Sequence, residues 1–367
     1  MTVWRDRIGA RLDAIRRADR WRSIRTLDGL MPAADLDGRP IVSFASNDYL
    51  GLAGHRGVAA AAREATSRWG TGSGASRLVV GGRPIHEELE AELADWKGTD
   101  AALLLPTGFA ANLAVLATLA DSADVLVVSD ELNHASIIDG ARLSRAEVAI
   151  ARHADPAHVD ELLTAHDGPV LVVTDTVFSM DGDEAPVDAL AEVCQRHGAL
   201  LVLDEAHAVL GPIVDAPDVD VVRVGTLSKT LGSLGGFVAA DRDVIDLLVN
   251  AARPFIFTTA STPGDTAAAL AALRIVRSSE GEALVQRLRD HVEAVAPGHP
   301  SPIIPVVLGD EAAALAASAR LLDQGLLVPA IRPPTVAPGT SRLRVALSAA
   351  HTDEQVERLV KALADLC

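Results

Sequence analysis

Between residues 85 and 230 the chain alternates two kinds of segment, and that alternation narrows the fold sharply. Short, evenly apolar runs stand at 101–105 (AALLL), 125–129 (VLVVS), 170–174 (VLVVT), 200–203 (LLVL) and 219–224 (VDVVRV). Longer stretches separate them: 86–97, where Leu89, Leu93 and Trp96 share one helical face, then 110–119 and 186–197. The runs are too short and too uniformly apolar for surface helices, so they read as strands buried on both faces of a parallel sheet. Helices between parallel strands are crossovers. The pattern predicts an α/β fold with a mostly parallel sheet flanked by helices. Each run ends in polar residues: Ser129-Asp130, Thr174-Asp175 and on to Ser179, Asp204 to His207, and Thr226 to Lys229. The carboxyl ends of the strands in such a sheet form the binding crevice, so these clusters are expected to meet in one site.

The flanks follow other patterns. Trp4, Ile8, Leu12 and Ile15 recur at helical spacing among arginines within 4–25, which predicts a basic amphipathic helix laid on the main body. Beyond residue 280 helices are expected at 281–295, 311–324 and 353–366, with apolar runs at 303–308 and 343–347, a smaller α+β domain. With 367 residues to divide, the expected units are an N-terminal helical segment (1–44), a large domain (45–260) and a small C-terminal domain (261–367). Lys and Arg number 33 against 50 Asp and Glu, a net charge of −17 that disfavours nucleic acid. Cys194 and Cys367 are too few for a disulfide framework or a metal cluster, and no export signal or membrane span is evident. A cytoplasmic protein without metal is expected.

The strand-end residues suggest one kind of chemistry. Lys229 lies in TLSKTLG (226–232), among hydroxyls and ahead of Gly235 and Gly236. A desolvated amine has a lowered pKa, and only a neutral amine forms a Schiff base with an aldehyde. Taken alone, Lys229 is equally well a solvent-facing loop lysine. Asp204 closes an apolar run, where a carboxylate requires a positive partner such as a protonated pyridine nitrogen. Thr107-Gly108-Phe109 opens a helix whose backbone N–H groups suit an anion. His134 and His207 follow two other strand ends. The string DEAH occurs in helicases, but their GxxxxGK[ST] loop is missing. GTGSG (70–74) follows no strand and lacks the dinucleotide spacing. Lys229, Asp204, His207, His134 and the Gly108 turn together are the parts of a pyridoxal-phosphate (PLP) site.

These residues sit in segments that resemble the α-oxoamine synthases, fold-type-I PLP enzymes that condense an amino acid with an acyl thioester and release carbon dioxide. The matching segments are SNDYLGL (46–52), GTGSGASRLVVG (70–81), HEELEAELADW (86–96), TGFAAN (107–112), NHASIIDGARLS (133–144), VFSMDGDEAPV (177–187), LVLDEAH (201–207) and TLSKTLG (226–232). The resemblance implies that Lys229 holds PLP as a Schiff base, Asp204 pairs with its ring nitrogen, His134 stacks on the ring, and His207, with Ser179 nearby, meets its phenolic oxygen. It implies a phosphate site at Gly108, Phe109 and Thr226, completed by Thr259 of a second subunit in a homodimer. Arg344 would take the substrate carboxylate, with Arg22, Asn47, Ser76 and Thr335 contacting substrate. AIRPPTVAPGTSRLR (330–344) and FIFTTASTP (255–263) resemble the branch that joins L-alanine to a pimeloyl thioester, of CoA or a carrier protein, in biotin biosynthesis. A glycine-using relative and a non-catalytic PLP-binding protein are the alternatives. Two features depart from the family: Ala208 stands where a glycine is usual, and the segment between residues 211 and 220 is shortened.

Overall fold

The computed structural model describes residues 2–18, 20–212, 216 and 218–366; Cys367 and much of the shortened 211–220 segment lie outside the described residues. A seven-stranded sheet organises the molecule, in the order Ala101–Leu105, Gly236–Ala240, Val221–Thr226, Leu200–Asp204, Val170–Asp175, Leu126–Asp130, Glu147–Ala151. All strands point the same way except Gly236–Ala240, which is antiparallel to both neighbours. The five expected strands are present within two residues of their expected limits. The alternation of faces explains their uniform apolarity. Val127, Val173, Val202 and Val222 enter the core on one side, while Leu126, Val128, Val172, Leu201 and Leu203 enter the core on the other. Most positions along such strands are buried on one side or the other, so polar residues gather at the strand ends, Arg223 in Val221–Thr226 being a partly exposed exception.

Two strands of this sheet were not expected. Glu147–Ala151 lies at the sheet edge with Ile150 exposed, and its mixed EVAIA sequence carries no buried-strand signature. Gly236–Ala240 begins in a glycine cluster that reads as loop. The crossover helices include Pro84–Lys97, Gly108–Leu119 and Val187–His197, all within two residues of expectation. Thr107 starts the second of them by accepting the Ala110 N–H on its side chain.

The C-terminal region contains an antiparallel sheet of Ile303–Gly309, Ser341–Ala346 and Ala330–Ile331 with helices Ser279–Val295, Glu311–Asp323 and Asp353–Ala364. The apolar core joins Phe44, Leu89, Leu104, Leu270, Ile303 and Leu343 in one cluster, so this sheet packs continuously onto the large one. The N-terminus corrects an expectation. Its helix is Val3–Arg17, shorter than the expected 4–25, and none of its residues is buried; Trp4 is 70% exposed. It does not pack on the body of its own chain. After it, Leu27–Asp28, Ala33–Leu36 and Arg39–Ser43 form an antiparallel meander joined in parallel by Leu326–Leu327. Among the described residues no helix is long and apolar enough to cross a membrane.

Candidate active site

Adjacent strands Val170–Asp175 and Leu200–Asp204 end in register, placing Asp175 beside Asp204. Both carboxyls are buried. Asp204 is held on each oxygen: Asn112 Nδ2 donates to Oδ2 at 2.6 Å and the Ala206 N–H to Oδ1 at 2.9 Å. Asp175 accepts the His134 N–H at 2.7 Å, and burial together with neighbouring Asp204 pushes its carboxyl well above the carboxylate range. Lys229 projects from the next strand end, with Nζ 2.8 Å from His207 Nε2. Burial lowers its pKa against the opposing pull of Asp204 and Asp175. Burial, then the positive charges of Lys229 and Arg344, hold His207 well below the ordinary histidine value, so its ring is neutral. On its other nitrogen His207 meets the Tyr49 hydroxyl at 2.5 Å.

Beside this cluster the N-terminus of Gly108–Leu119 faces the end of Val221–Thr226. The N–H groups of Gly108 and Phe109, in the first turn, have no intrahelical acceptor and form the positive end of the helix dipole. Thr226 Oγ1 and Ser228 Oγ lie 2.8 Å apart. Glycines permit the approach: a Cβ on Gly108 would come 3.2 Å from Thr226 Cβ, and one on Gly236 would come 2.4 Å from the Thr107 backbone carbonyl. Paired hydroxyls at a helix N-terminus are a cradle for a phosphate group. Gly236→Ala is therefore expected to displace the Thr107–Gly108 turn, because backbone cannot swing aside as a side chain can. Overpacking of this kind costs about 1–3 kcal/mol, and a PLP titration should show affinity reduced by about 5- to 150-fold if that strain falls on the bound state. Unchanged affinity would mean that the turn does not hold the phosphate.

Of the other residues singled out from the sequence, three lie in the cluster. His134 bonds Ser136 Oγ at 2.7 Å and meets Phe109 edge-on. Ser179 offers its backbone oxygen to Arg344 Nε, and Asn47 Oδ1 accepts from Arg344 Nη2 at 3.1 Å. The rest stand apart. Arg22 is exposed outside any helix or strand, Thr335 is exposed in a turn, and Thr259 is exposed. Ser76 precedes a π-helical turn, Arg77–Gly81, close to Thr259 because the Ala260 N–H bonds Ala75 O at 3.0 Å. Sequence reasoning had not singled out Tyr49, Asn112, Ser136 and, as a site residue, Asp175. Two of these carried a signal. Tyr49 is the single tyrosine of the chain, and Asn112 is the lone amide in an otherwise apolar helix.

The family model described as aminotransferase class I and II matches residues 39–363. The 8-amino-7-oxononanoate synthase of Anaeromyxobacter dehalogenans (strain 2CP-1 / ATCC BAA-258) is 49% identical, over 98% of this chain and 95% of the relative. That of Geobacter sulfurreducens is 44% identical, over 97% of each chain. Among solved structures, Sphingomonas wittichii serine palmitoyltransferase superposes with a TM-score of 0.88 at 30% identity, covering 98% of this chain and 96% of the other. An SPT structure with a PLP internal aldimine gives 0.92 at 29% identity, covering 100% and 98%. The Francisella tularensis 8-amino-7-oxononanoate synthase gives 0.74 at 25% identity, covering 89% and 97%. With the family model spanning most of its length and relatives near half identity over almost all of it, the chain belongs to the aminotransferase class I and II family, among the 8-amino-7-oxononanoate synthases.

Proposed function

We propose that this chain is a PLP-dependent acyltransferase that condenses L-alanine with a pimeloyl thioester, giving 8-amino-7-oxononanoate, carbon dioxide and free thiol in biotin biosynthesis. The observation that carries the reading is the Lys229 amine, desolvated and 2.8 Å from a neutral His207, beside buried Asp204 and the cradle at Gly108 and Thr226. These residues fit PLP one by one. Lys229 is the amine for its aldehyde, Asp204 the anion for its ring nitrogen, and His134 the flat face for its ring. His207, with Ser179 nearby, would meet its phenolic oxygen, and Gly108, Phe109 and Thr226 suit its phosphate. When bound, PLP supplies an electron sink for the pair left on Cα as a proton and then carbon dioxide depart. The chain's own residues do the rest. Lys229, once free, would be the base for the Cα proton and would later return one; burial lowers its pKa and so favours the neutral form that a base requires. Arg344 presents a planar fork to the substrate carboxylate.

The site is proposed to lie on a large unit (45–260), with Arg344 supplied by a small one (261–367). A second copy of the chain would complete it. Leu78, Val79, Val80 and Phe257 are each more than half exposed around Ser76 and Thr259, an apolar surface that supports a homodimer bringing Thr259 to the phosphate. Arg22 and Thr335 would then contact the acyl donor, a thioester of CoA or of a carrier protein. The setting proposed is the cytoplasm.

Condensation rates with L-alanine, glycine and L-serine at one pimeloyl thioester concentration test the reading. L-Alanine is expected to lead glycine modestly, because a methyl in an apolar pocket is worth about 1–3 kcal/mol. In Arg344→Ala the KM for the amino acid should rise by about 10- to 150-fold, the equivalent of losing a charged hydrogen bond worth about 1.5–3 kcal/mol. A clear preference for glycine would move the chain to the glycine-using enzymes, and an unchanged KM would place the carboxylate elsewhere.

A further inference from the structure

The Lys229 amine ends a chain of hydrogen bonds that begins at Arg344, and the groups that can only donate set its direction. Arg344 Nη2 lies 3.1 Å from Asn47 Oδ1. A guanidinium has no lone pair to offer, so the amide atom facing it is the acceptor oxygen whichever way the amide was first placed. The Tyr49 hydroxyl lies 3.1 Å from that same oxygen and gives it its one proton. Toward His207 Nδ1, at 2.5 Å, the phenol oxygen can then only accept, so Nδ1 carries the ring proton. The ring is buried and neutral, with a single proton. Its Nε2 is therefore a bare lone pair, and it faces Lys229 Nζ at 2.8 Å.

We propose that Tyr49 is a positioning residue: held by Asn47 and Arg344, it locks His207 in the Nδ1–H tautomer, so that Nε2 accepts a hydrogen bond from the Lys229 amine. The opposite tautomer would put the proton on Nε2, so the contact would take up the lone pair of a neutral Lys229 instead of accepting one of its protons. Tyr49 suits the task because it does not ionise: burial pushes its hydroxyl up to about 12, and its side chain is wholly buried. Phenylalanine would fill the same apolar space, so what the hydroxyl adds is the direction of the chain. The inference deepens the proposed function and draws its importance from the role given to Lys229. The hydrogen-bond argument itself uses only this chain's residues.

Nitrogen-15 NMR of the full-length, histidine-labelled protein, without PLP and again with it, reads the tautomer directly. In the protein without PLP, His207 is expected to show a pyrrole-type Nδ1 and a pyridine-type Nε2. In Tyr49→Phe, checked for fold by circular dichroism, that tautomer should lose its dominance. The same variant should lower kcat by about tenfold or more, within the span of a general acid–base contribution, while the KM for L-alanine holds within about twofold. A protonated Nε2 in the parent overturns the proposal, with no variant needed. An unchanged tautomer in folded Tyr49→Phe overturns it too, even if turnover falls, since the hydroxyl would then act by another route. Should the parent show the expected tautomer and yet fail to condense L-alanine, the functional reading falls and this one stands.

Discussion

Lys229→Ala is expected to remove turnover almost entirely while leaving a folded protein. General acid–base catalysis alone is worth about 10²–10⁴-fold, and Lys229 is also the amine proposed to hold the aldehyde of PLP, so the loss should exceed the upper figure. Folding should survive because the removed cation can be compensated locally. Asp175 is already pushed well above the carboxylate range by burial and by Asp204, so it takes up a proton and relieves the pair of buried carboxylates that Lys229 faced. The check is borohydride reduction of the PLP-loaded parent followed by peptide mapping, with the condensation assay run on both proteins. Label on a peptide containing Lys229, absent in the variant, is the expected result. Label on another lysine, or substantial turnover by the variant, would remove Lys229 from its role.

For Asp204→Asn the expected loss has two separable parts. An amide offers one acceptor where the carboxylate offers two, yet both Asn112 Nδ2 and the Ala206 N–H donate to this side chain. One of those donors must then face an NH2 group, which costs about 1–3 kcal/mol of stability and is readable by denaturant unfolding. The second part is catalytic. Without an anion beside it the ring nitrogen of PLP loses its proton, and the electron sink weakens. Turnover should fall by more than the stability change can explain, with PLP still bound through Lys229 and the Gly108 cradle. Near-normal turnover would show that Asp204 is a structural carboxylate only.

Legibility in the sequence followed burial. The strands Ala101–Leu105, Val170–Asp175 and Leu200–Asp204 were readable almost to the residue because water touches neither face, and an unbroken apolar run can hardly be anything else. Glu147–Ala151 escaped because an edge strand must be partly polar. The N-terminal helix was readable as a helix from its spacing, but its spacing could not say what it packs on, and in this chain none of its residues is buried. The site divided in the same way. Lys229, Asp204 and His207 stand at ends of buried strands, where a charge or an imidazole is conspicuous. Tyr49 and Asn112 act on partners 158 and 92 positions away, and no local period marks such a pairing.

The one antiparallel strand of the seven-stranded sheet, Gly236–Ala240, also governs how the molecule must be made. Ala101–Leu105 lies at an edge of the sheet, and its one sheet neighbour is Gly236–Ala240, with Ala101 paired to Ala240 and Leu105 to Gly236. Between the synthesis of Leu105 and that of Gly236 the growing chain therefore carries AALLL with no strand to bond, for about 7–26 s at a rate of about 5–20 residues per second. Helix Pro84–Lys97, already complete, can cover one face of the segment, but its backbone N–H and C=O groups stay open to any passing strand. The phosphate cradle waits on the same event, since Gly236 is the residue that closes against Thr107. Until the ribosome has passed that glycine, the nascent protein combines an unpaired apolar strand with an unformed cofactor site, so arrest or truncation shortly before it should yield chains that are both sticky and unable to hold PLP.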